Sequence, residues 1–204
     1  MAKHYSINEI FYSLQGEGMR AGTANVFVRF AGCNLTCQMA PSETSPGGFD
    51  CDTEFSGGRS MTASEVIQEM TRLGGKCLNV ILTGGEPLLQ VDDALIAALT
   101  EAHWYIAIET NGSKEMPKGI HWVTCSPKVA EHAVRVAYAD ELKYVRHAGQ
   151  ALPRPRCEAS HYLLSPAFTP TGVDRDSLLW CIQLVKDNPL WRLSTQLHKA
   201  WQVR

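Results

Sequence analysis

No apolar run in this chain approaches the ~20 residues that a membrane-spanning helix needs, so no membrane partner is expected. There is also no excess of charge of one sign: 19 Lys and Arg stand against 21 Asp and Glu, a formal net charge of -2. Nucleic-acid binding draws on a basic face, so no nucleic-acid partner is expected either. The one basic cluster, Arg154-Pro155-Arg156, is too short to alter that balance. No signal-peptide pattern follows Met1-Ala2-Lys3-His4, and seven cysteines is an odd count, which argues against a secreted disulfide framework. The expectation is a soluble cytoplasmic protein with reduced thiols. No internal repeat is present, which leaves solenoid architectures without support.

The 204 residues are read as one domain, 1–204. A chain of this length buries roughly 70% of its unfolded surface, enough for a substantial core. Strand-like apolar runs occur at 25–30, 78–83, 104–109, 122–125, 141–145, 162–164 and 191–194. Between several of them lie helical patterns. Thr62-Ala63-Ser64-Glu65 has capping-box spacing, followed by Val66, Ile67, Met70 and Leu73 and then Gly74-Gly75. Residues 91–102 repeat the pattern with Leu95, Ile96 and Leu99 as the inward stripe, and 174–186 with Leu178, Leu179, Ile182 and Val185. Strands alternating with helices imply an α/β fold built on parallel strands. A closed eight-fold barrel uses ~250 residues, so the expectation here is an open, truncated (β/α)6-type partial barrel of six or seven strands. Chemistry in such folds gathers at the carboxyl ends of the strands.

Cys33, Cys37 and Cys51 are separated by three and then thirteen residues. Three thiolates on a four-iron cluster leave one iron open to another ligand, whereas a protein-only cluster takes four. Structural zinc also wants four ligands, and no histidine lies between Cys33 and Cys51, so zinc remains a poorer alternative. The residues between the second and third cysteines, 38–50, are rich in Pro, Gly, Ser and Thr and read as an inserted loop. Cys77, Cys125, Cys157 and Cys181 sit in or beside apolar runs and are expected to be inert packing residues. Thr83-Gly84-Gly85-Glu86-Pro87 directly follows a strand. Its glycines allow close backbone approach, and its polar groups could meet an ammonium, although alone it is also an ordinary strand-to-helix turn.

Together the triplet and Gly84-Gly85-Glu86-Pro87 resemble the radical S-adenosylmethionine superfamily. The segments 11–18 (FYSLQGEG), 27–35 (FVRFAGCNL), 51–53 (CDT), 108–112 (IETNG), 126–128 (SPK), 141–143 (ELK) and 191–199 (WRLSTQLHK) are similar, in order, to the 7-carboxy-7-deazaguanine synthase family. That resemblance implies a carbon–nitrogen lyase with a 4Fe-4S cluster, S-adenosylmethionine and Mg2+. One electron cleaves S-adenosylmethionine to methionine and a 5′-deoxyadenosyl radical, which takes a hydrogen from C6 of 6-carboxy-5,6,7,8-tetrahydropterin. The substrate radical rearranges, recovers its hydrogen and loses ammonia to give 7-carboxy-7-deazaguanine, a precursor in 7-deazapurine (queuosine/preQ0) biosynthesis.

The resemblance also implies residue roles. Cys33, Cys37 and Cys51 would hold the cluster, and Thr53 the Mg2+. Asp50, Cys51, Asp52, Gly85, Glu86, Ser126, Pro127, Lys128, Ser165, Pro166, Ala167 and Phe168 would hold S-adenosylmethionine. Leu14, Gln15, Gly16, Glu17, Arg29, Thr83, His198 and Arg204 would hold the pterin, Arg29 being suited to grip its carboxylate bidentately. A homodimer and an electron donor such as flavodoxin or ferredoxin are the implied protein partners. Three features depart from the pattern: the thirteen-residue spacing before Cys51, Ser165 in place of a glutamine common in relatives, and the tail Trp201-Gln202-Val203-Arg204. Closing a longer loop costs only logarithmically more, so the spacing is compatible with a cluster. Two other readings compete. One is an activating enzyme that installs a glycyl radical on a protein; the other is a zinc- or cluster-stabilised binding module without turnover.

Overall fold

The structure is a computed structural model that describes residues 2–38, 51, 53–169 and 172–204. Its centre is a nine-stranded sheet. In chain order the strands of this sheet are β1 (His4–Leu14), β2 (Ala24–Phe30), β3 (Arg59–Thr62), β4 (Asn79–Gly84), β5 (Tyr105–Thr110), β6 (Trp122–Cys125), β7 (Tyr138–Arg146), β8 (Glu158–Pro166) and β11 (Trp191–Leu193). A short hairpin, β9 (Phe168–Thr169) with β10 (Gly172–Val173), lies outside it. Across the sheet the order is β3-β1-β2-β4-β5-β6-β7-β8-β11. Every pairing from β2 to β11 is parallel, while β1 runs antiparallel to both β2 and β3. Among the described residues β3 and β11 are edges that do not meet, so the barrel is open, as its length predicts.

All seven strands expected from apolar runs are present. The long β1 was not among them. Its buried Tyr5 and Ile7 belong to the main core, but the register with β2 shifts between Ile7 and Glu9, and beyond the shift Ile10 packs on that core while Phe11 lies on the opposite face. A bulge of this kind changes the phase of the two-residue alternation and hides the strand from pattern reading.

The helices are α1 (Ala63–Gly74), α2 (Asp93–Glu101), α3 (Arg175–Asp187) and α4 (Leu197–Trp201). Thr62 and Glu65 form the predicted capping box, and Asp92 and Asp174 cap α2 and α3 by accepting from Leu95 N and Ser177 N. The inward stripe of α2 is as predicted, with Leu95, Ile96 and Leu99 buried. That of α3 needs correcting. Ser177 and Cys181 face the sheet, whereas Leu179 is 54% exposed and Ile182 37%. Val185 packs against the core as expected, but counting apolar residues misplaced the rest of the stripe because two of the inward positions carry a hydroxyl and a thiol.

Helices occupy three of the parallel connections: β2 to β4, β4 to β5, and β8 to β11. Elsewhere loops cover the sheet, with Met116, Ile120, Val134 and Leu152 packed against the core. The core lies on the helix side, built from Val26, Val28 and Phe30 of β2, Val80 and Leu82 of β4, and Ile106 and Ile108 of β5. Each alternate residue therefore faces the other, concave side. No described helix is long and apolar enough to cross a membrane.

Candidate active site

The concave face carries two lateral rows. Phe27, Ile81, Ala107 and Trp122 are partners across neighbouring strands and form an apolar floor. Two residues further along each strand the side chains turn polar: Arg29 partners Thr83, Glu109 partners Thr124, and Thr124 partners Glu141. This polar row lies at the carboxyl ends of the parallel strands, and above it opens a cavity of ≈ 1000 Å³.

One side of that cavity belongs to the cysteines. Cys33, Cys37 and Cys51 all line it, with Thr53, Gly84 and Gly85. Burial pushes the Cys33 and Cys37 thiols up, and neighbouring Cys51 adds to the shift in both. Among the described residues no three His, Cys, Asp or Glu side chains are drawn together tightly enough to hold a single ion. Three thiols lining one cavity suit a cluster, in which each thiolate takes a different iron, whereas structural zinc wants a fourth ligand. The glycine turn is fitted to the same segment: Gly85 N donates to Phe30 O at 3.2 Å and Glu86 N to Gly32 O at 3.0 Å. Gly84 has φ of +128° and presses on the Phe30 backbone, where a Cβ would lie 2.2 Å from the carbonyl oxygen. Glu86 is fully buried, and its carboxylate accepts from Thr110 Oγ1 (2.8 Å), Asn111 N (2.7 Å) and Leu88 N (3.0 Å). Burial raises its pKa against these three donors. Its side chain holds the turn in place and is not part of the cavity wall.

Chains this similar in order and geometry are known. The Radical SAM superfamily model matches residues 27–151. A 7-carboxy-7-deazaguanine synthase of Bacteroides thetaiotaomicron is 41% identical over 198 residues, covering 97% of this chain and 98% of the relative. This chain belongs to the 7-carboxy-7-deazaguanine synthase family. A synthase of Caulobacter vibrioides is 37% identical, over 96% of this chain and 97% of its own. The crystal structure of QueE from Escherichia coli shares 25% identity with a TM-score of 0.68, covering 96% of this chain and 95% of that one. Radical SAM membership brings a 4Fe-4S cluster and S-adenosylmethionine, and the three thiols and the glycine turn that line one cavity fit both.

Relative to this family's expected site, the cavity wall includes Glu17, Thr83, Gly85, Ser126, Lys128, Ser165, Pro166, Ala167 and Phe168. Pro127 lies between two wall residues. Gln15 stands behind the wall, donating to Glu109 Oε1 at 2.7 Å, and Gly16 packs on His198, whose Nδ1 would lie 2.3 Å from a Cβ there. Leu14 is partly exposed at the end of β1. Arg29 pairs with Glu9 (Nε to Oε1, 2.9 Å). Arg204 also pairs with Glu9, covers the Phe11 ring, and accepts at its main-chain oxygen from Ser13 Oγ at 2.7 Å. Asp50, Asp52 and nearly all of the predicted insertion lie outside the described residues.

Sequence reading assigned no role to Glu109, Thr124, Lys143, Gln196 or Lys199, all of which line the cavity. A charged residue near the carboxyl end of an otherwise apolar strand, as in Ile106-Ala107-Ile108-Glu109 and Glu141-Leu142-Lys143-Tyr144, was the available signal. Thr83 Oγ1 and Gln15 Nε2 both donate to Glu109, and Lys143 pairs with Glu17, whose other oxygen accepts from Gln196 Nε2 at 3.0 Å. Burial alone pushes the Glu17 carboxyl up, but the Lys143 ammonium and the bonds from Lys143 and Gln196 hold it below the usual carboxylate range. Glu141, which accepts from Met19 N and Thr124 Oγ1, is pushed up by burial.

Proposed function

We propose that this chain is a carbon–nitrogen lyase that converts 6-carboxy-5,6,7,8-tetrahydropterin to 7-carboxy-7-deazaguanine with loss of ammonia, in 7-deazapurine (queuosine/preQ0) biosynthesis. The observation that carries the reading is one cavity lined both by three cysteines with a glycine turn and by polar groups, Thr83 bonded to Glu109 and Glu17 paired with Lys143. Cys33, Cys37 and Cys51 would hold the 4Fe-4S cluster, and Gly85, Ser126, Lys128 and residues 165–168 the S-adenosylmethionine. When bound, these groups supply the one-electron chemistry that removes hydrogen from an unactivated carbon.

The protein's part is to bind and orient. Glu17 and Glu109 accept hydrogen bonds from N–H donors of a ligand, and Gln15 and Thr83 fix where the Glu109 oxygens point. Thr53, in the wall beside Cys51, supplies an oxygen suited to Mg2+, a hard cation. Arg29 contacts Glu9 through Nε, so the outer edge of its guanidinium is the part that would meet the substrate carboxylate. Leu14, Gly16 and His198 shape the pterin side of the pocket, and Arg204 closes it next to Arg29. The chain acts as one radical SAM domain, as a cytoplasmic homodimer reduced by a flavodoxin or ferredoxin.

The test is turnover. Anaerobically reconstituted protein, given a reductant, S-adenosylmethionine and 6-carboxytetrahydropterin, should yield the deazaguanine acid by mass spectrometry. Cleavage of S-adenosylmethionine without any pterin-derived product would overturn the substrate assignment.

A further inference from the structure

Lys143 is the one lysine on the concave face of β7, and its ammonium is surrounded by acids. It pairs with Glu17 and feels the charges of Glu109 and Glu141. Glu17 belongs to the loop after β1, Glu109 to β5 and Glu141 to β7. The loop is tied in turn to the C-terminal segment: Gln196 Nε2 donates to Glu17, Leu197 N donates to Gly16 O at 2.8 Å, and Gly18 N donates to Ser194 Oγ at 3.0 Å. His198 lies close enough to act on the Glu17 charge. Two distant parts of the chain thus meet over one ion pair.

We infer that Lys143 is a positioning residue of the substrate pocket, whose ammonium holds the Glu17 carboxylate against Gln196 and so fastens residues 15–18 and 194–198 together as a single wall. The inference rests on the pterin-binding reading of that wall. A buried ion pair adds little stability over an apolar pair of similar size, so stability alone does not account for one here. Position does. Without Lys143 the Arg20 charge still acts on Glu109 and Glu141, but Glu17 keeps only the weaker attraction of His198, and burial would drive it to take up a proton. Protonation turns one Glu17 oxygen into a donor and leaves a single, weaker acceptor oxygen where Gln196 and a ligand N–H require two.

The experiment compares cluster-loaded wild-type protein with Lys143→Met, Lys143→Arg and the double variant Glu17→Gln/Lys143→Met. Amide exchange at Glu17 and Leu197, measured without substrate, should quicken about tenfold in Lys143→Met while β4 and β5 keep their protection. The KM for 6-carboxytetrahydropterin should rise about tenfold with little change in kcat, the pattern of lost uniform binding. That KM should fall again as pH is raised and Glu17 gives up its proton, whereas the wild-type KM stays flat over the same range. Lys143→Arg should recover both properties in part. The double variant, in which an amide that keeps one oxygen for Gln196 replaces the titrating carboxyl, should recover slow exchange while its KM stays high. Wild-type exchange in Lys143→Met, quickened exchange spread through the whole sheet, or a raised KM indifferent to pH would each overturn the assignment. If the wild type fails to turn over the pterin at all, the substrate reading falls, and the exchange measurements alone decide the role of Lys143.

Discussion

Gly85 stands so close to Gly32 that a Cβ on it would lie 2.1 Å from the Gly32 carbonyl oxygen and 2.9 Å from the Cys33 Cβ. The glycine turn and Cys33, the first of the proposed cluster ligands, are therefore one packed unit. The obstruction is backbone, which cannot swing aside as a flexible side chain can. Gly85→Ala should push the Gly32–Cys33 backbone away, costing about 1–3 kcal/mol as overpacking does. Iron content after reconstitution should fall together with the denaturant midpoint. Full iron loading in this variant would show that the turn and the thiol are not mechanically linked.

Cys51 tests the ligand set. It lines the cavity with Cys33 and Cys37, whereas Cys77 donates to the Ala24 and Asn79 carbonyls outside it. Cys51→Ala should lose the cluster absorbance and turnover, and Cys77→Ala should retain both. Undiminished turnover in Cys51→Ala would remove that residue from the set.

Glu86→Gln probes the turn without changing its shape. Both carboxylate oxygens of Glu86 accept hydrogen bonds, and an amide offers one oxygen and one NH2 in their place. One buried donor then faces another, a loss of about 1–3 kcal/mol. The urea midpoint should drop at unchanged slope. A shift within error would mean that the turn rearranges around the amide.

Tyr5 gives the alkaline limit. Burial and the bond from its hydroxyl to Asp92 (2.9 Å) raise its pKa from 10.0 to about 12. A pKa raised on folding contributes stability that is complete below 10 and is lost as pH rises from there through 12. Between about pH 9 and 11.5 the wild type should therefore lose more stability than Tyr5→Phe, which has no proton there to give up. Parallel losses in the two proteins would remove Tyr5 as the cause.

Much of this was legible in the chain. The apolar runs gave seven strands, and the Thr62–Glu65 spacing gave the start of α1. The bulge in β1 and the polar inward positions Ser177 and Cys181 on α3 were not legible, because both break the periodicity by which a buried face is recognised. Among the residues that line the cavity, Cys33, Cys37, Cys51 and Gly85 stand out in the sequence by spacing and turn chemistry. Lys143 does not, since a lysine within a short apolar strand carries no sign of which carboxylates will meet it.

By itself the sequence determined the local elements, their caps, and a cysteine pattern that three separate irons can share. A two-residue period says which side chains share a face. It does not say which strand lies alongside or what closes over that face. Only the tertiary structure decided that Thr83, Glu109, Thr124 and Glu141 form one row, and that the loop after β1 reaches the C-terminal segment across Lys143. Those neighbours come from strand pairing and from contacts between residues more than a hundred positions apart, which no local pattern encodes.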